Sequence, residues 1–473
     1  MSTGELFSSY DSASHQAIWT GKTATASQVQ KAIDASTQAL PEWKSLSYEA
    51  RISILHHFVI ELSEKQARLA EIISQETGKP LWESRQEVMA MKNKIDISIR
   101  AYRMRCPETH DISHTSKLVT RHVPHGVVAV LGPFNFPGHL PHGHIVPALL
   151  AGNTILFKPS EKCPKTGEFV TELWNKSGLP KGVLHLLQGD RRVAELILSH
   201  KEVTGVFFTG SYKAGQSILQ QSHAFASRIV ALEMGGNNPL VVSKTSNLLA
   251  AVYTVLQSAF ATSGQRCTCA RRLIVIENDE TDPLLDSLVQ AAKNLEVGYY
   301  TDHPEPFMGP LINKEAANSL LAAQIQCIAR GGKVLLELKA KGALVTPGII
   351  DMTGCKIEDE EYFGPLLQVI RVKNLESAIA EANNTEYGLS AAILTDSLDE
   401  YKQFLSEVKA GVINWNMPTT GASSNAPFGG IGKSGNFRPS GLYAADYTAY
   451  PVASQEARSI SVPEVLPPGM KLS

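Results

Sequence analysis

From residue 27 to about 103, apolar residues recur at intervals of three and four, Ile52, Leu55, Phe58, Val59 and Leu62 among them, and Gly78-Lys79-Pro80 reads as a stop. The spacing predicts a mainly helical opening. From Val127 the pattern changes to short, mainly apolar runs, at 127–131, 154–157, 183–187, 205–208 and 229–232. Strands without a polar face, separated by helical stretches, predict a parallel, doubly wound sheet with both faces covered. A second alternation starts near Pro239, with a strand at 240–242, a helix at 248–262, a strand at 273–276 and further pairs through 412–415, and predicts another α/β domain. Beyond about Gly430 the chain is rich in Gly, Ser and Pro. It then offers a short strand at 449–453, suited to pairing with a neighbouring subunit.

Composition limits the class of partner. A chain of 473 residues has room for two or three domains. Its 44 basic and 46 acidic side chains leave a net charge of -2, so no global field exists to hold nucleic acid or an anionic membrane, and any anion must be bound locally. The best apolar run, 127–131, is far short of a bilayer span. Six cysteines are too few for a disulfide framework in a chain of this size and form no paired zinc knuckles, so reduced thiols are expected. The polar N-terminal stretch has no basic-then-apolar leader, and a soluble, cytoplasmic protein is the expectation.

Chemistry is expected at the C-terminal ends of the buried strands, where parallel α/β sheets hold their ligands. Residues 208–215, Phe-Thr-Gly-Ser-Tyr-Lys-Ala-Gly, lead from a strand through a Gly-Ser turn into a helix expected to begin at Lys213, a geometry that faces phosphate. The glycine spacing departs from the dinucleotide fingerprint, so an ordinary Gly turn is equally compatible. Gly432-Lys433-Ser434 looks like the end of a phosphate-binding loop, but Pro427 stands where the first Gly is required, and a plain Gly-rich loop is the better reading. Cys267, in a turn after a helix and beside Arg266, has surroundings that lower a thiol pKa and make it nucleophilic, whereas an isolated Cys is more often inert core. Glu233 sits at a strand end before Met234-Gly235-Gly236, where a partly apolar crevice raises a carboxyl towards general-base work; a turn-capping surface Glu is the alternative. Asn135 closes the first strand and can present its side-chain N–H to a developing oxyanion, or simply form a turn between prolines. His139, His142 and His144 crowd one loop. No carboxylate nearby completes a ligand set, so they read as solvent- or substrate-facing and no metal site is assigned. Lys158-Pro159-Ser160-Glu161 offers a cation and a carboxylate to an adenosine ribose, and Glu361, Phe363 and Gly364 form a polar-aromatic-Gly cluster in the later domain.

In this order the segments closely resemble the aldehyde dehydrogenase superfamily from about Ser27 to Ala453. The signatures are Asn135-Phe136-Pro137, Lys158-Pro159-Ser160-Glu161, Phe208-Thr209-Gly210-Ser211, Leu232-Glu233-Met234-Gly235-Gly236, Gly264-Gln265-Arg266-Cys267 and Glu361-Tyr362-Phe363-Gly364-Pro365. The resemblance implies an α/β fold with a Rossmann-type NAD-binding domain (1–105 and 123–235), an α/β catalytic domain (236–435) and β strands for oligomerisation (106–122 and 449–460). It implies that Cys267 attacks an aldehyde, that Asn135 and the Cys267 N–H stabilise the oxyanion, and that Glu233 activates the water that hydrolyses the thioester. Phe134, Lys158, Ser160, Glu161, Gly210, Ser211, Gly215, Glu361 and Phe363 are implied to hold NAD. Glu161 would repel an added phosphate, which favours NAD over NADP. Stretches 132–144, 267–272 and 427–440 are most similar to the branch that oxidises N-succinylglutamate semialdehyde in arginine catabolism, with His142 standing where Asn is expected. That branch implies a dicarboxylate semialdehyde substrate, for which His139, Arg103 and Arg271 are candidate contacts, and succinate semialdehyde is the alternative. A homodimer or homotetramer is expected, with no nucleic-acid or membrane partner.

Overall fold

The computed structural model describes residues 4–112, 116–279, 281, 283–463 and 465–472. Its helical opening comprises Ala26–Ser45, Tyr48–Thr77 and Leu81–Arg105. The first begins in a capping box in which Thr25 and Gln28 satisfy each other's backbone N–H groups. The second ends at Gly78, whose left-handed φ of 80° lets the chain reverse before Pro80 starts the third. An antiparallel hairpin, Leu6–Tyr10 with Ala17–Lys22, precedes them. Its polar, half-exposed residues carry little periodic signal, and it was not expected.

The five apolar runs form one parallel sheet in the order Leu184–Leu186, Thr154–Lys158, Val127–Leu131, Val203–Gly210, Ile229–Met234. The chain enters at the central strand, winds outward to one edge, returns beside its start and winds to the other edge. The switch point therefore lies between Val127–Leu131 and Val203–Gly210, where the connecting loops diverge and leave a crevice. Two strands run longer than the sequence pattern predicts. Val203–Gly210 is hydrogen-bonded on both sides, and Ile229–Met234 extends through Glu233, which pairs with Thr209 and bridges to Gly435.

The second alternation builds a seven-stranded sheet in the order Lys333–Leu336, Gly348–Asp351, Leu366–Val372, Ala270–Ile276, Asn238–Val242, Ser390–Leu394, Val412–Trp415. All neighbours are parallel except the edge strand Lys333–Leu336. Ala449–Glu456 lies antiparallel to Lys117–Pro124, which pairs in turn with Thr109–Ile112. This third sheet joins two chain segments more than 300 residues apart, and its edge strand leaves Tyr450 and Val452 exposed.

The largest core lies between the helical opening and the five-stranded sheet, where Phe58 stacks on Trp174 with ring centroids 3.9 Å apart and both side chains fully buried. Truncating Phe58→Ala removes a large aromatic from a site that cannot collapse, and should cost about 3–5 kcal/mol, read as a lower midpoint of thermal or urea unfolding. A change within about 0.5 kcal/mol, the usual range for surface substitutions, would contradict this packing.

Candidate active site

The crevice at the switch point is a cleft of about 610 Å³. Six of the nine residues expected to hold a dinucleotide line it: Phe134, Ser160, Gly210, Ser211, Glu361 and Phe363. Ser211 is the N-cap of the helix Tyr212–Ser222, accepting from Ala214 N–H, so the helix starts one residue earlier than the pattern predicts. The Tyr212 and Lys213 N–H groups lack intrahelical acceptors, and Gly210, Ser211 and Ala214 at this helix start line the cleft. Phe134 and Phe363 meet edge to face at 5.9 Å across the two sheets. Lys158, Glu161 and Gly215 are outside the lining. Lys158 is buried and spends its ammonium on the carbonyls of Pro159 (2.7 Å) and Gly189 (2.8 Å), while Glu161 is exposed. Gly215 serves packing instead, because a side-chain carbon there would overlap Met234. A helix N-terminus for a pyrophosphate, apolar walls for rings and a buried carboxylate for a ribose hydroxyl together fit a dinucleotide.

Cys267 reaches the same cleft from a strained loop. The helix Leu248–Phe260 ends earlier than predicted, and Thr262, Ser263 and Gly264 follow in left-handed conformation, with φ of 53°, 53° and 70°. Two non-glycine residues in that region cost roughly 1–2 kcal/mol each. Hydrogen bonds pin them: Thr262 Oγ1 donates to Glu83 at 2.7 Å and Ser263 Oγ to the Gly309 carbonyl at 2.7 Å. A side-chain carbon at Gly264 would overlap the Gly364 carbonyl, so that position must be glycine. Beyond the turn, Asn238 Nδ2 donates to the carbonyls of Cys267 (2.7 Å) and Cys269 (2.8 Å), and Arg271 to those of Gly264 (2.7 Å) and Arg266 (2.9 Å). Asn238 was missed in the sequence, where its one signal is an amide opening an apolar strand. Arg271 is a positioning residue rather than a substrate contact, fully buried and 3.7 Å from Glu361.

The expected thiol activation by Arg266 does not occur. Glu83 and Thr262 take the Arg266 guanidinium at 2.8 and 2.7 Å and lay it towards the Phe136 ring. Burial, reinforced by Glu361 and Glu233, pushes the Cys267 thiol up to about 12. The thiol is thus held protonated and needs a base. Asn135 lies against the same loop, its Nδ2 donating to the Gln265 carbonyl at 2.9 Å, which fixes the amide beside Cys267 with a second N–H to offer.

Glu233 is the candidate base. It is buried, one carboxyl oxygen accepts the Ser440 N–H at 3.1 Å, and the other has no hydrogen-bond partner among the described residues. Burial raises its pKa to about 8. The carboxylate forms part of both the cleft and a second cavity of about 110 Å³, which is lined by Lys94, His139, Gly143, Ser424 and Phe428 among others.

The three histidines are not on a loop. They open the helix His139–Ala151, with Pro141 in the first turn, where a missing N–H costs nothing. His142 and His144 are buried rather than solvent-facing. His142 packs 5.0 Å from Phe58 and 5.7 Å from Trp174, and burial holds both imidazoles neutral, at about 3. His139 and His144 both line the second cavity with Gly143, and burial takes His139 to about 4. Arg103 faces the Tyr48 ring, away from both cavities.

The model of the aldehyde dehydrogenase family matches residues 1–451. The chain belongs to the aldehyde dehydrogenase family. Solved relatives superpose over nearly its whole length. Aldehyde dehydrogenase 21 of Physcomitrella patens, in complex with the reaction product succinate, is 25% identical with a TM-score of 0.90, covering 97% of this chain and 96% of its own. The glyceraldehyde-3-phosphate dehydrogenase GapN of Methanocaldococcus jannaschii, complexed with NADP, is 29% identical with a TM-score of 0.89, covering 97% and 100%. A putative methylmalonate-semialdehyde dehydrogenase of Sinorhizobium meliloti, complexed with NAD, shares the fold at 24% identity and a TM-score of 0.91, covering 97% and 96%. This aldehyde dehydrogenase is an oxidoreductase acting on aldehydes, and Cys267, Asn135 and Glu233 meet in it where the two sheets face each other.

With its carboxyl raised to about 8, only about a tenth of Glu233 is ionised at pH 7. The base form gains with pH, so hydrolysis of an activated aryl ester should rise about tenfold per unit below pH 8 and level off above it. Glu233→Gln should flatten that limb and Cys267→Ala should abolish turnover. Wild-type and Glu233→Gln profiles of equal slope would exclude Glu233 as the base.

Proposed function

We propose that this aldehyde dehydrogenase oxidises N-succinylglutamate semialdehyde to N-succinylglutamate with NAD, in the breakdown of arginine. The observation that carries the reading is the position of Glu233 and Thr209 in the walls of both cavities. The larger cleft takes the dinucleotide, the smaller cavity takes the substrate, and the base stands where they meet. Part of the smaller cavity's wall, His139, Leu140, Gly143, His144, Phe428 and Ser440, comes from the stretches 132–144 and 427–440 that resemble the succinylglutamate branch. Gly143 leaves its side open, with no atom within 4 Å of where a side-chain carbon would stand.

Cys267 Sγ forms the bond to the aldehyde carbon as its proton passes to Glu233, and the oxygen turning negative is met by Asn135 Nδ2 and the Cys267 N–H. NAD, when bound, supplies the two-electron acceptor that converts the adduct to a thioester. Glu233, having released the thiol's proton to solvent, takes a proton from water as the new oxygen bonds to the acyl carbon; the carbon–sulfur bond then breaks, the acid departs and the Cys267 sulfur regains a proton. A carboxylate with one free oxygen, buried beside the thiol, favours hydrolysis over acyl transfer to coenzyme A. Ser160, Ser211 and Glu361 would hold the cofactor by hydrogen bonds, Phe134 and Phe363 by apolar contact. The exposed carboxylate of Glu161, next in sequence to the lining residues Ser160 and Lys162, favours NAD over NADP. We also propose that 1–105 with 123–235 is the cofactor unit and 236–435 the catalytic unit, and that the sheet containing Ala449–Glu456 joins copies of this chain as a homodimer or homotetramer. Among the described residues no helix is long and apolar enough to cross a membrane; a cytoplasmic location is part of the proposal.

The test is relative kcat/KM for NADH formation with N-succinylglutamate semialdehyde, succinate semialdehyde, glutamate semialdehyde and simple aliphatic aldehydes. A preference of about a hundredfold for the succinylated substrate is expected. Preference for succinate semialdehyde would instead favour a short dicarboxylate, the product class bound in the Physcomitrella relative. Glu233→Gln should keep a first-turnover burst of NADH while slowing steady turnover by about 10²–10⁴.

A further inference from the structure

The helix Leu81–Arg105 carries a lysine whose side chain ends in the smaller cavity. Lys94 is 2% exposed. Its ammonium makes one hydrogen bond, to the Gly441 carbonyl at 2.9 Å, and forms no ion pair among the described residues. An ammonium has three N–H donors, so two are left without protein acceptors in a buried site. The cation therefore retains its desolvation cost without the compensation that buried charges usually find. Other interior cations have an ion pair or more acceptors: Lys79 pairs with Glu87, Arg266 with Glu83, Arg272 with Glu381 and backbone carbonyls, Lys158 has two carbonyls and Arg228 three.

The walls around Lys94 are rich in donors and poor in negative charge. His139, Ser423, Ser424 and Ser440 contribute polar side chains, and the sole carboxylate is Glu233, the general base. Arg100, further along the same helix, holds Asn425 beside the segment that forms the mouth. An uncharged aldehyde chain has no use for such a cavity, whereas an anion completes it.

We propose that Lys94 is the specificity-determining residue of this enzyme, its ammonium pairing with a carboxylate on the substrate while the aldehyde end reaches Cys267. The inference rests on the reading of the smaller cavity as the substrate side, and it names the group that reads the substrate's charge. It assigns the task to Lys94 in place of Arg103 and Arg271, which the structure commits elsewhere. Burial lowers the Lys94 pKa to about 8, in keeping with a cation that has no partner until the anion arrives.

The experiment compares two aldehydes of equal chain length, glutarate semialdehyde and pentanal, in wild type, Lys94→Met and Lys94→Arg. Wild type should prefer the anionic aldehyde by about 30-fold or more in kcat/KM, chiefly through KM, as a charge-assisted hydrogen bond implies. Lys94→Met should collapse the ratio to within about threefold, and Lys94→Arg should restore most of it. Equal losses on both aldehydes, or an unchanged ratio, would overturn the proposal. A measurement on wild type covers the case in which Lys94→Met does not fold: glutarate should inhibit competitively at least about tenfold better than glutaramide, and equal inhibition would overturn the proposal. The outcomes separate from the substrate panel. A lysine-dependent ratio without preference for the succinylated aldehyde would remove the pathway and keep Lys94; the reverse would keep the pathway and remove Lys94.

Discussion

Desolvation at the seam between the two parallel sheets is the constraint on which the site depends. It raises Cys267 to about 12 and Glu233 to about 8, so in the resting protein the nucleophile and the base are both largely neutral. Neutral groups can be packed at a seam without ion pairs, and their chemistry waits for a substrate. The same burial makes each later charge expensive unless it is met at once, which is why Asn135 is fixed by Gln265 before any oxyanion forms. The price of this design is strained backbone at Thr262 and Ser263 and a Glu233 carboxyl oxygen without a hydrogen-bond partner among the described residues.

That loop illustrates how tertiary contacts impose a local conformation that propensity opposes. Thr262 and Ser263 do not favour positive φ, yet Glu83, from a helix 179 residues earlier, and the Gly309 carbonyl hold them there. Asn238 and Arg271 then satisfy the carbonyls the turn leaves open. Glu233 is positioned by a different device. Its strand continues past the expected end because residues 434–436 zip onto it, Met234 N–H donating to the Ser434 carbonyl at 3.0 Å and Leu232 N–H to Asn436 at 3.0 Å. The Gly-rich stretch that looks like a phosphate loop is therefore the strap that aligns the base.

What the sequence made legible follows from what burial does to patterns. Strands covered on both faces are mainly apolar, so all five of the first sheet stand out, and Glu233 and Cys267 stand out as polar residues next to such runs. Properties set by distant partners were not legible. Arg266 neighbours Cys267 in sequence, but Glu83 determines where its charge goes. The histidine helix was mistaken for a loop because it contains two prolines and is buried on nearly every face, leaving no amphipathic period to read. Lys94 was invisible for a related reason: on a helix with Lys92, Asn93 and Asp96, one more polar residue looks like part of the solvated face.

Charge placement distinguishes the cleft proposed for the cofactor from the cavity proposed for the substrate. On the cofactor side, Glu361 is answered by Arg271 at 3.7 Å and by the Gly236 N–H at 3.2 Å, so the protein arrives with its carboxylate supported and asks only neutral hydroxyls of a ligand. On the substrate side, Lys94 has a single carbonyl acceptor and the nearest opposite charge, Glu233, is largely protonated at neutral pH. A net positive site results, and it persists only because the surrounding core is stable enough to bear it. An anion bound there would restore the balance. It would also leave Glu233 free of the cation, so that the carboxylate acts on water rather than on its neighbour, and recognition and deacylation would draw on the same buried pair of charges.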